Sequence, residues 1–502
     1  MYRSLLFALL LCAVTITATA QTKTNDAREV VNRSIAAMGG IEKLRGIKLI
    51  HSRSLGHFYF LEQSERPEGP WYVDYQKTEE WRDVENGGVR RNIGLTGIQE
   101  GRETDIVMGG VSVSDMGNGL APNPNNIAPI DELLAMAPER ILLIALDASD
   151  LRYGGTEMVQ SSPSDIVEFT WKGSPVKVAI NHNTNLITMT DVVRARPAEQ
   201  FWGIWGDFSV KNYYSYWMLQ KGGFRYPQQV DTFYNGQPLR TDTILSVEFN
   251  VEPPKQTFQI SDDLRTAYTA VPKRMFPDLP LGRPDRPPIQ AAPDFTIIPG
   301  NWNVTLIKQD DGIVIIEAPI SSAYSAKVIA EVKRRYPTAK IKCVISTSDS
   351  FPHFGGLREY AAAGIPIYAL DLNEPIIRRL LWAEYKSYPD SLEKDPSRKK
   401  VKLNIVRGRT VIGTGRNQLV LYPIRSETGE RMTMIYAPQL KLLYGADLVQ
   451  PLPTGGFFMP QYLTELSDAA TRENLDVQQI FAIHCRPTPW KQVLAFIAES
   501  VK

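Results

Sequence analysis

An α+β chain of two domains is what this sequence predicts, and three observations predict it. Strand patterns crowd the first half, strands alternate with helices in the second, and a proline-rich stretch at 272–293 divides them. At 502 residues the chain also exceeds one ordinary domain. Apolar residues at 43% and charged residues at 22% are ordinary globular values, which excludes wholesale disorder. A formal net charge of +1 excludes the broad electrostatic attraction by which proteins hold nucleic acid or acidic lipid.

Residues 1–20 read as a secretory signal peptide. Arg3 is the positive start, 5–16 the apolar run, and Ala18-Thr-Ala20 the small-residue cleavage site, so an exported, periplasmic or extracellular protein is expected. No later stretch reaches a membrane-spanning length. Cleavage would remove Cys12 and leave Cys343 and Cys485, expected as buried free thiols, with a disulfide between them the other option.

Residues 21–271 form the predicted N-terminal β-rich domain. Its opening helix covers 26–38: Asp26 and Glu29 suit a capped start, Val30, Val31, Ile35 and Met38 make one apolar stripe, and Gly39-Gly40 ends it. A helical turn at 41–44 follows. Strands are expected at 47–61, 71–84, 166–171, 176–180 and 187–193, then through 208–251, with Asn235-Gly236 a strong hairpin signal. Residues 108–129, dense in Gly, Asn and Pro, predict a long loop, and 131–146 predict a helix broken at Pro138. The sum is a curved antiparallel sheet with a few helices. His51, His57 and His182 stand alone on strands or turns, where an ordinary hydrogen-bonded histidine is the expectation.

Residues 294–502 form the second predicted domain. Strands at 302–306 and 313–317 pair as a hairpin, and Ser322 caps a helix with Tyr324, Val328 and Val332 inward. Next come the strand at 343–346, a polar loop, a helix opened by Gly355-Gly356 and closed at Gly364, and the strand at 367–370. A helix at 374–386 precedes the basic run 396–409, read as loop and edge strand. Strands at 419–424, 432–436 and 441–444, a helix at 462–472, a strand at 479–484 and a helix at 489–501 complete it.

The loop Thr347-Ser-Asp-Ser-Phe-Pro-His-Phe-Gly-Gly356 resembles the metal-binding loop of the metallo-β-lactamase fold, whose pattern is Thr-His-x-His-x-Asp-His-x-Gly-Gly. Thr347, His353, Gly355 and Gly356 fit; Ser348, Ser350 and Pro352 stand where three metal ligands belong. Three further stretches carry the resemblance in the right order. Gly312-Ile-Val-Ile-Ile-Glu-Ala-Pro319 is similar to the family's early hairpin strand, with Glu317 for its usual Asp. Tyr436-Ala-Pro-Gln-Leu-Lys-Leu-Leu-Tyr-Gly-Ala-Asp447 is similar to the strand pair that delivers its bridging aspartate. Ile483-His-Cys-Arg-Pro-Thr-Pro-Trp490 is similar to the loop bearing its last histidine. The resemblance implies an αββα sandwich over 294–502. The sheet ahead of it, with its helix-Gly-Gly-helix opening, loosely resembles a lipoprotein-carrier domain.

A complete two-metal site in that family takes five histidines and two aspartates. Only His353 and His484 lie beyond residue 294, so the resemblance implies that the first metal site, at Ser348, Ser350 and a position near Ser426 or Thr428, is missing: neutral hydroxyls are poor zinc ligands. His353, Asp447 and His484 survive as a candidate site for one zinc ion, with Asp349 a candidate displaced base or fourth ligand. Three readings stay open. One is a degenerate domain without metal, serving as scaffold or ligand-binding module. Another is a single-metal hydrolase of an ester, lactone or related bond. The third is a metal-free hydrolase built on Ser348 or Ser350 with His353 and Asp349. No substrate is legible. Phe457-Phe-Met459 suits either an apolar lip for a small apolar or lipid ligand or a packed loop.

Overall fold

The computed structural model describes residues 26–61, 69, 71–97, 100–199, 202–272, 275, 278–395 and 401–500. The leader pattern at 1–20 and residues 396–400 of the basic run lie outside them. The chain forms two compact units. The first holds 1–59, 72–194 and 208–273; the second holds 60–71, 195–207 and 274–502. Two excursions from the first half of the sequence therefore belong to the second unit.

Among the described residues the first unit is built on one antiparallel sheet of thirteen strands. Its earliest strand, Leu49–Tyr59, pairs with its latest, Gln237–Phe249, so two meanders leave in opposite directions from a shared centre. The 26–38 helix carries the apolar stripe that the sequence showed, and the helix expected at 131–146 with a break at Pro138 is two helices, Ile127–Met136 and Pro138–Asp147. Val31, Ile35, Met38, Ile141 and Leu142 pack with Val167, Phe169, Val178 and Ile180 of the sheet. Asn235 and Gly236 both take positive φ, 45° and 81°, and turn one strand into the next with Tyr234 opposite Gln237. The predicted loop at 108–129 is instead broken up by short strands and the start of a helix. Gly109 and Gly110, at φ 62° and 75°, form a two-residue turn between strands Gly101–Met108 and Val111–Asp115, and the short strand Ala121–Pro122 follows. His51 lies between Glu79 and Glu248, at 3.0 and 3.2 Å, and stacks on Trp81. His57 meets Tyr59, and His182 meets Asp165.

Among the described residues the second unit contains two sheets. The larger runs Ile289–Ala292, Phe295–Ile298, Val304–Gln309, Gly312–Ile316, Ile341–Ile345, Ile367–Leu370, Leu403–Val406; its first strands pair antiparallel and its last three join in parallel. Its first strand comes from the proline-rich stretch, which is thus partly sheet rather than all connector. The smaller sheet runs Thr410–Ile412, Leu419–Pro423, Thr433–Ala437, Leu442–Tyr444, Gln479–Phe481, Thr488–Pro489. Every residue of Gly312–Ile316, Leu419–Pro423 and Thr433–Ala437 is buried, which requires cover on both faces. One cover is the other sheet: Phe295 meets Phe481 at 5.6 Å between ring centroids, and Gln309 donates to the carbonyls of Ile412 and Asn417. Helices provide the other. In Ser322–Arg335 the inward residues are Tyr324, Val328 and Val332; its cap is Ser321, one residue before the predicted Ser322, because the Ser321 hydroxyl is the one that accepts from the Tyr324 N–H. Phe457 packs on Phe496 of the last helix, Trp490–Ser500, while Phe458 and Met459 stay partly exposed. Cys343 and Cys485 are both free and buried. Among the described residues no helix is long and apolar enough to cross a membrane.

Candidate metal centre

His353 reaches the centre from a short helix, Phe351–Phe354, set between the Ile341–Ile345 strand and the helix Leu357–Ala362. Pro352 sits in the first turn of that helix. A missing N–H costs nothing there, and proline's fixed φ already suits a helix. Pro352 therefore does not break the turn that presents His353. The turn is pinned through its backbone to the segment after Gly312–Ile316: Ala318 N–H donates to the His353 carbonyl (3.1 Å), Ile320 N–H to that of Pro352 (2.8 Å), and Gly356 N–H to Ala318 (2.8 Å). Both motif glycines are needed for closeness. A Cβ on Gly355 would lie 2.7 Å from the Ile320 carbonyl oxygen, and one on Gly356 2.8 Å from the Ser321 carbonyl oxygen.

Asp447 follows the Leu442–Tyr444 strand and a left-handed Ala446, φ 51°. His484 sits in a tight turn in which Ala482 and Cys485 exchange backbone hydrogen bonds, with Asn303 gripping both Ala482 and Ile483. These elements bring the three side chains together. One ligand atom each from His353, Asp447 and His484 lies within 4.8 Å of the others. His353 Nε2 is 3.4 Å from Asp447 Oδ2, and His484 Nε2 is 3.3 Å from Asp447 Oδ1. Tetrahedral zinc with bonds near ~2.05 Å separates its ligands by roughly 3.3 Å, and each imidazole nitrogen stands at about that distance from its own oxygen of the one carboxylate. Asp349, the candidate extra ligand, is not in the group of three.

The hydrogen bonds around the trio orient it. His484 Nδ1 is 2.8 Å from the Asn301 carbonyl, which only accepts, so Nδ1 carries the hydrogen. In the neutral ring Nε2 is then a bare lone pair facing the Asp447 carboxylate. Two acceptors face each other favourably only with a proton or a cation between them. Gln450 Nε2 donates to Asp447 Oδ1 at 3.0 Å and to the Asp447 carbonyl at 2.9 Å, fixing the carboxylate from its other side.

Burial disfavours a charged His353, but the Asp447 carboxylate outweighs it and holds the imidazole's pKa above its usual value. Burial likewise opposes the Asp447 charge, and His353 and His484 override it, so its carboxyl lies well below the usual range. The neighbouring acids go the other way. Burial raises Glu317 despite His353, Thr347 and Tyr444, and raises Asp349 strongly despite Arg431 at 4.0 Å. Glu317 takes hydrogen bonds from Thr347 and from Tyr444 (2.9 Å) on one oxygen, in a left-handed backbone of φ 73°. Three buried atoms here have no hydrogen-bond partner: His353 Nδ1, Glu317 Oε2 and Asp349 Oδ2. Orphaned polar atoms clustered around three convergent ligands fit an ion or ordered water.

The positions that the resemblance assigns to a first metal site are tied into their own loops. Ser348 is fully buried and accepts from the Ser350 N–H at 3.1 Å. Thr428 donates its hydroxyl and its N–H to Glu465, at 2.6 and 2.9 Å, and the Ser426 hydroxyl accepts from Gly429. Ser350 meets His353 through the backbone, its carbonyl accepting from the His353 N–H at 3.0 Å, and among the described residues no hydrogen bond joins the Ser348 or Ser350 hydroxyl to the His353 imidazole, the contact a serine nucleophile would need with its base. The sequence missed Asn301 and Gln450. Asn301 acts through a backbone carbonyl and leaves no side-chain signal; Gln450, three residues past Asp447, could have been noticed only by its spacing.

No protein-family model matches the chain, and no curated protein matches it. Several solved structures are similar. The inverting sec-alkylsulfatase Pisa1 from Pseudomonas sp. is 15% identical over 44% of this chain and 40% of its own, with a TM-score of 0.32. A metallo-beta-lactamase from Pontibacter korlensis is 13% identical over 42% of this chain and 97% of its own, TM-score 0.32. One from Hirschia baltica is 16% identical over 42% and 96%, TM-score 0.32. This chain thus spans about two fifths of the alkylsulfatase. Similarity this remote says nothing about activity, which the site's own geometry must address.

Proposed function

We propose that the second unit is a metallo-β-lactamase-like domain holding one metal ion in place of two, and that it acts as a single-metal hydrolase on an ester, lactone or related bond. The observation that carries this is the convergence of two imidazole nitrogens and one carboxylate, with ligand atoms within 4.8 Å of one another. His353, Asp447 and His484 would hold the ion and leave a fourth position open. A zinc ion there would supply Lewis-acid polarisation of an acyl or phosphoryl oxygen and activation of water. The chain's own part is orientation. Asn301 fixes the His484 tautomer, Gln450 fixes Asp447, and the 317–320 segment fixes the turn of His353. Burial raises the Asp349 carboxyl well above its ordinary pKa, a direction that suits a proton donor better than a base.

A second reading, a ligand-binding or scaffold domain without chemistry, is favoured by the hydroxyls at the first-site positions, which are tied into their own loops. Metal analysis separates the two. The full chain should purify with about one zinc, iron or manganese ion, and the double variant His353→Ala/His484→Ala should lose it. Hydrolysis of a panel of aryl esters and lactones should disappear with the metal. No metal after soaking in zinc overturns the hydrolase reading; metal without hydrolysis leaves binding as the function.

A further inference from the structure

A cavity of about 210 Å³ opens in the second unit beside the helix Ser322–Arg335, well below the ~300–1,000 Å³ of pockets for drug-sized ligands. Its walls are aromatic. Trp202 and Tyr385 are almost fully buried, while Tyr388 is 37% exposed and forms the outer wall. Trp202 stands edge-to-face with both tyrosines at 5.5 Å between centroids, and its indole N–H is anchored on the Gly206 carbonyl at 2.6 Å. The indole donor is thus spent, and the ring offers its π surface.

The charges around this box are unequal. Asp390 gives both oxygens to the Arg358 guanidinium, at 2.6 and 3.0 Å, and is neutralised. Glu359 also lines the cavity, half-buried and hydrogen-bonded to Ser391, and has no cation paired with it among the described residues. Lys394 also lines the cavity; it is exposed and forms no ion pair with Glu359 among the described residues. Burial and then the Asp390 carboxylate raise the Glu359 pKa, as expected for an acid without a counter-charge. The same cluster already uses cation–π chemistry: the Arg358 guanidinium lies 3.9 Å from the Tyr385 ring centroid.

We propose that this cavity binds a small organic cation of the alkylammonium class, with Trp202, Tyr385 and Tyr388 surrounding its charge and Glu359 as the counter-ion. Aromatic rings attract a cation through their quadrupoles, and an unpaired, half-buried carboxylate adds the charge that a purely apolar ligand would not need. Loop residues 195–207 thereby acquire a role in the second unit, since they supply Trp202.

Choline and its uncharged isostere 3,3-dimethyl-1-butanol distinguish this from an apolar or sugar-like pocket. Calorimetric titration of the purified full chain should give saturable choline binding at least about tenfold tighter than the isostere. Tyr388→Ala, at an exposed position, and Glu359→Gln, which keeps the shape, should each weaken choline about tenfold and leave bound metal unchanged. The proposal is overturned by an absence of saturable choline binding up to about 50 mM, by equal binding of the isostere, or by indifference to both substitutions.

Discussion

His353 and Arg358 lie five residues apart on one loop and helix, and each is the centre of a buried polar cluster. Arg358 is fully buried, yet its guanidinium spends its donors on Asp390 and on the carbonyls of Leu380, Leu381 and Ala383, with Glu393 at 3.7 Å. Asp390 in turn accepts from Ser322 and from the Glu393 N–H. That cluster is closed. Around His353, by contrast, three buried polar atoms lack partners and two imidazole nitrogens face one carboxylate. A satisfied cluster rigidifies a fold, and an unsatisfied one carries a cost that is kept only where something else, such as an ion, completes it. The contrast separates architecture from site within a single turn of chain.

The strongest attempt to break this contrast is Arg358→Ala. It would strand Asp390 and three carbonyls in the interior, and should lower stability by about 3–5 kcal/mol in urea unfolding without changing the number of metal ions bound per folded chain. A loss of metal at full stability would mean that Arg358 belongs to the site. Zinc tests the other cluster. At a free concentration about a hundredfold above its dissociation constant, an ion bound only by the folded chain stabilises it by ~2.7 kcal/mol. The wild type should show that gain in thermal melts, and His353→Ala/His484→Ala should show none.

How much of this was legible in the sequence follows from what each feature depends on. Alternation and caps gave the strands and helices of the second unit, because inward residues such as Val328, Val332 and Leu380 repeat at fixed spacing. The strand pair at Gly109-Gly110 was obscured by density of Gly, Asn and Pro, although Gly-Gly between Val107 and Val111 is itself a hairpin signal. Residues 195–207 could not be assigned to the second unit, since that depends on contacts such as Trp205 on Phe351, far apart in sequence. His353, Asp447 and His484 were visible only through resemblance, because they are separated by 94 and 37 positions. Arg358 had a faint local signal, a charge between the apolar Leu357 and Tyr360, whose partners no spacing rule could name.

The smallest expected effect concerns acid. Burial would raise the Asp390 pKa, but the Arg358 guanidinium outweighs it and holds the carboxyl below its ordinary value. A depressed folded-state pKa contributes stability that is present above the unfolded value near ~3.9 and is lost as pH falls through the folded one. Wild type should therefore exceed Asp390→Asn in stability at pH 6, and the gap should narrow by on the order of 1 kcal/mol by about pH 3. The double variant His353→Ala/His484→Ala, measured in chelator against the same variant carrying Asp390→Asn, should show the same narrowing, because the closed cluster owes nothing to the His353 cluster. A gap that stays constant from pH 6 to pH 3 would show that Asp390 stabilises by shape and hydrogen bonding rather than by its charge. A narrowing that vanishes in the double variant would show that the two clusters are coupled, and the separation of architecture from site would fail across the Gly355-Gly356 junction between their two helices.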